Sequence, residues 1–186
     1  MLIVCEGAKT EPMYFDALCR RWHLTGRDIR TVDIHGRDCG SAPINVVDRA
    51  IELREKRKKR NKRDGTPLYD KIWCVFDRNS HSTFDQARAK ASTNSVDLAC
   101  SDPCFEFWYL LHFEHTSGQF PDCSSVIVRL RKHVPDYSKN KLPFADIETG
   151  LDDAIERASS IRNGIIKTPY TYVDQLVVYL RSKKAP

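Results

Sequence analysis

Short apolar runs alternate with amphipathic stretches over the first two thirds of the chain. The run Leu2–Cys5 is followed by a Glu-Gly pair, which predicts a buried strand that ends in a turn. The segment 69–76 is rich in β-branched and aromatic residues and ends abruptly at Asp77, so it is the clearest predicted strand. The remaining predicted strands span residues 29–35 and 96–100.

Apolar side chains at helical spacing predict the other elements. Thr10 is expected to cap a first helix through Trp22, and Pro43 to open a second helix that continues into a basic segment. Residues 61–67 are predicted to form a linker. Further helices are predicted at 83–91, 104–112, 124–133, 144–162 and 171–182.

This order of elements predicts an α/β fold. Strands that alternate with helices over short connections indicate a parallel sheet flanked by helices. From about residue 120 the pattern becomes helical. We therefore predict an α/β core over residues 1–120 and a C-terminal helical extension over residues 121–186 that packs on the core.

Composition is that of a soluble globular protein, with 41% hydrophobic and 30% charged residues. No apolar stretch approaches the ~20 residues of a membrane helix, so no membrane partner is expected. The seven cysteines show no CxxC pair and most lie in apolar runs, which predicts reduced, buried thiols and disfavours a zinc site. These features predict a cytoplasmic protein.

The positive charge is concentrated in one segment, since residues 54–63 read REKRKKRNKR. One interpretation is a solvated helix end that runs into a mobile loop. The other is a nucleic-acid-binding segment that contacts the phosphate backbone. Its candidate contact residues are Arg57, Lys58, Lys59, Arg60, Lys62 and Arg63.

Acidic and polar side chains follow the predicted strands. Glu6 follows the first strand, and Asp77 and Asn79 follow the central one. Glu106 lies one turn into the helix that follows the next strand. Asp102 directly follows that strand, but it is the weaker candidate because Asp before Pro is typical of the start of a helix. Ligands bind at the carboxyl ends of parallel strands, and these oxygen ligands suit Mg²⁺ or Mn²⁺. The sequence therefore predicts a metal site there.

Each candidate also has a purely structural interpretation. Asp and Asn are common turn residues after strands, and this applies to Asp77. Glu6 is harder to explain this way because Glu is not a favoured turn residue and Gly7 follows it. Glu106 has apolar neighbours on both sides in the sequence, so we expect its carboxylate to be paired, metal-bound or at a cleft. Lys9 is a weaker candidate for holding a phosphate group.

Four segments together resemble the RloB-like family: LIVCEGAKTEPMYFDAL, IWCVFDRNSH, SDPCFEFWYLLHF and TPYTYVDQLVVYL. The resemblance implies a Toprim-type domain with a Rossmann-like α/β core. Its site combines a Glu after the first strand with a DxD motif after the central one. Glu6 matches that Glu, as metal ligand or general acid/base, and Asp77 matches the first Asp. The resemblance also implies a place in phage-defence loci and an ATPase partner.

Asn79 stands where the family motif has its second Asp. An amide oxygen can bind a metal but brings no negative charge, so the metal would be held more weakly unless Glu106 compensates. One hypothesis is a Mg²⁺-dependent nuclease with Glu6, Asp77 and Glu106 at its centre. The alternative is a nucleic-acid-binding or regulatory module that works with an ATPase, since the chain has no P-loop of its own.

Overall fold

The computed structural model describes residues 1–24, 33–36, 42–78, 82–116, 118–141, 143–164 and 168–184. Three sequence predictions lie outside the described residues. They are the part of the predicted second strand before residue 33, the reduced state of Cys39 and the proposed metal ligand Asn79. The account below concerns the described residues.

A five-stranded sheet forms the centre of the molecule, with strand order β2-β1-β3-β4-β5. The strands are β1 (Leu2–Cys5), β2 (Asp33–His35), β3 (Ile72–Asp77), β4 (Asp97–Asp102) and β5 (Tyr170–Thr171). The first four are parallel, whereas β5 pairs antiparallel with the edge of β4. The predicted α/β fold is confirmed. The short edge strand β5 was not predicted, because the segment 171–182 reads as one helix.

Helices cover both faces of the sheet, and most lie where the sequence predicts them. They are α1 (Thr10–Arg21), α2 (Pro43–Asp64), α3 (Phe84–Thr93), α4 (Glu106–Leu111), α5 (Cys123–Leu130), α6 (Phe144–Ile147), α7 (Leu151–Asn163) and α8 (Val173–Arg181). None of the described helices combines the length and hydrophobicity needed to cross a membrane.

The predicted helix over 144–162 is broken between α6 and α7. A 3-10 turn at Glu148–Gly150 separates them. A Cβ at Gly150 would lie 2.2 Å from the carbonyl oxygen of His112, so a residue without a side chain is needed where this turn meets the end of α4. The periodicity of the sequence does not report such a close backbone approach, which is why the prediction was wrong here.

The strands bury side chains on both faces, as parallel strands do. Ile3 and Trp73 point into the larger apolar cluster, which α1, α4, α5, α7 and α8 complete. Leu2 and Phe76 point into the smaller cluster, which α2 and α3 complete. Residues from the C-terminal part of the chain, such as Leu176, belong to the same larger cluster as β1. The predicted division at residue 120 stays a prediction.

Helix α2 is longer than predicted and contains the basic segment. It continues to Asp64 and ends where Gly65 adopts a left-handed conformation, with φ of +72°. Residues 61–64 are therefore helical, so the predicted linker over 61–67 was wrong for its first half. The whole basic segment is helical, so the solvated helix end of the first interpretation agrees with the structure, while the loop begins only after Asp64. Ion pairs with Glu52, Glu55 and Asp64 support this part of the helix.

Candidate functional site

A cleft of about 570 Å³ opens at the carboxyl edge of the sheet. It brings together the four residues that the sequence singled out as catalytic: Glu6, Lys9, Asp77 and Glu106. Two further charged residues line it that the sequence analysis did not select, Glu11 and Lys139. The candidate site therefore contains four carboxylates and two ammonium groups.

Glu6 and Asp77 are held by backbone groups at the ends of neighbouring strands. The amide of Asp77 donates to Oε2 of Glu6 at 3.0 Å. Oδ1 of Asp77 in turn accepts from the amide of Phe105 at 2.8 Å, just before α4. These bonds hold both carboxylates in the cleft. The turn-residue interpretation explains part of the role of Asp77, since its side chain also holds the start of α4.

Glu106 is almost completely buried, with 2% of its surface exposed. Its Oε1 accepts from the hydroxyl of Tyr137 at 3.0 Å and lies 3.5 Å from Nζ of Lys139. Its Oε2 lies 3.2 Å from Sγ of Cys123. A carboxylate in so apolar a helix was expected to be paired or at a cleft, and Glu106 is both.

Glu11 is the acidic residue that sequence reasoning missed. It projects from the first turn of α1 with 6% of its surface exposed. The amide of Gly7 donates to its Oε1 at 3.2 Å, and a Cβ at position 7 would lie 2.1 Å from Oε2. An acidic residue in a first helical turn normally reads as a solvated partner of the helix dipole, so no signal in the sequence marked it.

Burial and mutual repulsion raise the pKa values of two of these carboxyl groups. The pKa of Glu11 rises from 4.5 to about 7, chiefly because it is buried and also because Glu106 and Glu6 carry like charge. Burial, followed by the charges of Glu11, Glu106 and Glu6, raises the pKa of Asp77 well above its usual value, while Lys139 opposes the shift. A bound cation would relieve this repulsion.

The donor chemistry of the cleft fits a hard divalent cation. Mg²⁺ and Mn²⁺ favour carboxylate oxygens, and the cleft supplies four carboxylates of which at least two are unfavourably placed when ionised. A second possible ligand group lies beside it. One ligand atom each from Cys104, Glu106 and Cys123 falls within 4.8 Å of the others, whereas no described group including Glu6, Glu11 or Asp77 is this compact.

The two cysteines of that group are joined in a disulfide, with Cα atoms 5.5 Å apart. This corrects the prediction that the cysteines are reduced thiols. The prediction is confirmed for Cys5, Cys19, Cys74 and Cys100, which are buried thiols. The pair Cys104–Cys123 was missed because 19 residues separate its members and only the packing of α5 on α4 brings them together. A disulfide sulfur is not a thiolate ligand, so this group binds metal only when reduced.

Asp102 lies outside the cleft. Its carboxylate is 3.2 Å from the guanidinium of Arg78. The lower rank that the sequence gave this residue agrees with that position.

The basic segment of α2 lies near the amino-terminal ends of the strands, whereas the cleft lies at their carboxyl-terminal ends. Helix α2 leads into the start of β3, whereas Asp77 is at its end, and six strand residues span about 20 Å. Several basic side chains are paired: Lys58 with Glu55 at 2.8 Å, Arg60 with Asp64 at 3.4 Å, and Arg63 with Asp64 at 3.3 Å.

The other basic side chains of α2 differ in their contacts. The guanidinium of Arg57 stacks 4.3 Å above the ring of Tyr69. Lys59 and Lys62 are exposed and form no ion pair with another described residue. Any nucleic acid bound by Lys59 and Lys62 would therefore lie far from the carboxylates.

The sequence matches the model of one protein family, described as RloB-like protein, over residues 1–180. No curated protein and no solved structure matches the chain. The match covers almost the whole sequence and includes every residue that lines the cleft. The chain belongs to the RloB-like protein family.

Proposed function

We propose that this protein is a Mg²⁺-dependent nuclease of the Toprim type. The observation that carries the proposal is the convergence of Glu6, Glu11, Asp77 and Glu106 in one cleft at the carboxyl edge of a parallel sheet. Buried carboxylates that repel one another are costly to maintain without a cation, and such groups cluster at functional sites. Membership of the RloB-like family is consistent with this function. The Toprim type itself rests on the resemblance of the sequence motifs.

Glu6, Asp77 and Glu106 are the proposed metal ligands. When bound, the metal supplies Lewis-acid polarisation of a phosphodiester and lowers the pKa of a coordinated water. The residues of the chain orient the reaction. Backbone amides fix the carboxylates of Glu6 and Asp77, and Lys9 and Lys139 at the cleft lip bind the phosphate oxygens that gain charge.

Glu11 is the proposed proton-transfer group. Its pKa of about 7 leaves it partly protonated and partly ionised near neutral pH, which suits a general acid/base. The sequence resemblance implied for Glu6 either this role or that of a metal ligand. Glu11 is the candidate to exchange a proton with the attacking or leaving oxygen because its pKa is raised to about 7.

Purified protein tests the proposal with plasmid, single-stranded DNA and tRNA, each with Mg²⁺ or Mn²⁺ added or withheld. We expect metal-dependent cleavage that falls at least a hundredfold in Glu6→Gln and in Asp77→Asn, since each change removes a ligand charge. Asp16→Asn is the matched control, because Asp16 is a half-exposed carboxylate on α1 paired with Arg20. Cleavage that survives both cleft substitutions would rule out this site.

The second candidate function is a nucleic-acid-binding or regulatory module with little hydrolysis of its own. The presence of Asn79 in place of the second Asp of the family motif favours it, because one ligand charge is missing. This function predicts Mg²⁺ binding and nucleic-acid binding without turnover. Replacing Asn79 with Asp would then create or strengthen cleavage, whereas no change in cleavage would remove this reason for the second candidate.

A role in phage defence with an ATPase partner is also part of the proposal. It rests on the family resemblance. The test is the plating efficiency of phage on cells that express the chain with and without an ATPase encoded beside it. Protection that needs both proteins, and that is lost in Glu6→Gln, is the expected result. Protection that is unchanged in this variant would separate defence from the cleft.

A further inference from the structure

A second cavity, of about 640 Å³, lies beside the β4–β5 edge of the sheet. It is larger than the carboxylate cleft, and its chemistry is different. Three arginines and three aromatic residues line it: Arg78, Phe84, Arg88, Arg162, Tyr170 and Tyr172. Asp85 is the acidic residue among the described side chains that line it.

The end of β3 connects this cavity with the carboxylate cleft. The amide of Arg78 donates to the carbonyl of Ser101 at 2.8 Å, so the parallel ladder continues one residue beyond the end of β3. Successive residues of a strand point to opposite faces of the sheet. Asp77 accordingly lines the cleft and Arg78 lines the cavity. An extended ligand that crosses the end of β3 can contact both the cavity and the carboxylate cleft.

The aromatic wall of the cavity is held in place by its neighbours. The rings of Tyr170 and Tyr172 meet edge to face with centroids 5.6 Å apart. The guanidinium of Arg162 lies 4.8 Å from the centre of the Tyr172 ring and binds both carboxylate oxygens of Asp174, at 2.5 and 2.6 Å. Both tyrosines are half-buried, so this pre-organised wall still offers ring surface to a ligand.

Two of the arginines are accessible to an anion. Arg78 has 47% of its side chain exposed and lies 3.2 Å from Asp102, whose side chain is 21% exposed. Arg88 is exposed on α3 and forms no ion pair with another described residue. Guanidinium groups match the geometry of a phosphate group, and aromatic faces match that of a nucleobase.

We propose that this cavity binds one nucleotide of a single-stranded nucleic acid. The base stacks on the ring of Tyr172, and the ring of Tyr170, which stands at 74° to it, borders the base. The phosphate lies between Arg78 and Arg88. A base in a duplex is stacked and paired, so it does not reach such a cavity without unpairing. This inference deepens the proposed function by naming a single-stranded substrate, and it rests on that function only for the ligand being nucleic acid.

The test is the fluorescence anisotropy of a labelled twelve-nucleotide single strand in EDTA, where no cleavage takes place. Tyr172→Leu removes the aromatic face and is expected to weaken binding about tenfold, whereas Tyr172→Phe keeps the face and the affinity. Arg88→Gln is expected to lower the slope of log K against log salt by about 0.7, the value for one lost contact with a single strand. Arg20→Gln, an exposed arginine on α1, is the matched control.

Thermal melting of each variant accompanies the binding assay, so that a misfolded variant is recognised. Equal affinity of folded Tyr172→Leu and wild-type protein would overturn the proposal, as would a duplex that binds as tightly as the single strand and with the same dependence on Tyr172. Normal binding without any metal-dependent cleavage by the wild-type protein would refute the nuclease and leave this cavity standing.

Discussion

Gly7 and Glu11 show how a single residue decides the arrangement of the candidate site. The carboxylate of Glu11 occupies the space where any side chain at position 7 would begin, 2.1 Å from an ideal Cβ. Because glycine has no Cβ, Glu11 can lie buried in this space near Glu6 and Glu106, whose charges, after burial, help to raise its pKa to about 7. The glycine after the first strand therefore serves a neighbouring carboxylate as much as the backbone turn.

The raised pKa of Glu11 predicts how stability depends on pH in the absence of metal. Between the unfolded value of 4.5 and the folded value of about 7, the folded protein holds more protons than the unfolded chain. Its free energy of unfolding must therefore fall as pH rises through this window, by up to about 3 kcal/mol from this group. Urea denaturation in EDTA at pH 5 and pH 8 measures the change.

Glu11→Gln is the control for this pH dependence, and Mg²⁺ is the second one. The variant should lose the Glu11 share of the decline and be more stable than wild-type protein at pH 8. Added Mg²⁺ should restore wild-type stability at pH 8, because a cation offsets the repulsion among the ionised carboxylates. A decline of the same size in both proteins would show that Glu11 does not titrate in this range.

At the scale of elements, the contact between α4 and α5 includes the Cys104–Cys123 disulfide and the carboxylate of Glu106. Closing a loop of this size stabilises a fold by about 3 kcal/mol. We expect a thiol reductant to lower the melting temperature of wild-type protein and to leave the double variant Cys104→Ser/Cys123→Ser unchanged. A reductant effect of equal size in both would place its origin elsewhere.

Helix α2 allows a separate test of nucleic-acid binding away from the cleft. Lys59→Gln and Lys62→Gln remove exposed side chains that have no ion pair among the described residues, and each should reduce the salt dependence of binding by about one phosphate contact. Lys56→Gln removes the same charge from a side chain paired with Glu52, so its effect should be smaller. Equal salt dependence in all variants and wild type would remove α2 from the binding surface.

The sequence predicted the elements that carry the site better than it predicted the site itself. Strands β1 and β3 and helix α1 have strong local patterns, and the structure places them close to where these patterns indicate. Strand β5 has two residues and exists only because β4 offers it an edge, so no local pattern marks it. Burial of Glu11 and pairing of Cys104 with Cys123 are likewise consequences of packing between elements.

At the scale of the whole molecule, the carboxylate cleft and the second cavity, which Arg78 and Tyr172 line, both lie at the carboxyl-terminal end of β3. Asp77 and Arg78, adjacent in sequence at the end of β3, line one each. The basic residues of α2 lie near the amino-terminal ends of the strands, where β3 begins. A substrate strand is therefore expected to follow the carboxyl edge from the cavity to the cleft, and α2 to contact more distant parts of a longer nucleic acid.

The central claim is that a divalent cation binds among the carboxylates of the cleft. Anomalous diffraction from crystals soaked in Mn²⁺ measures this directly. The expected result is a manganese peak between Glu6, Asp77 and Glu106 that is absent from crystals of Asp77→Asn. A manganese peak elsewhere, or none in the cleft of a wild-type crystal at neutral pH, would contradict it.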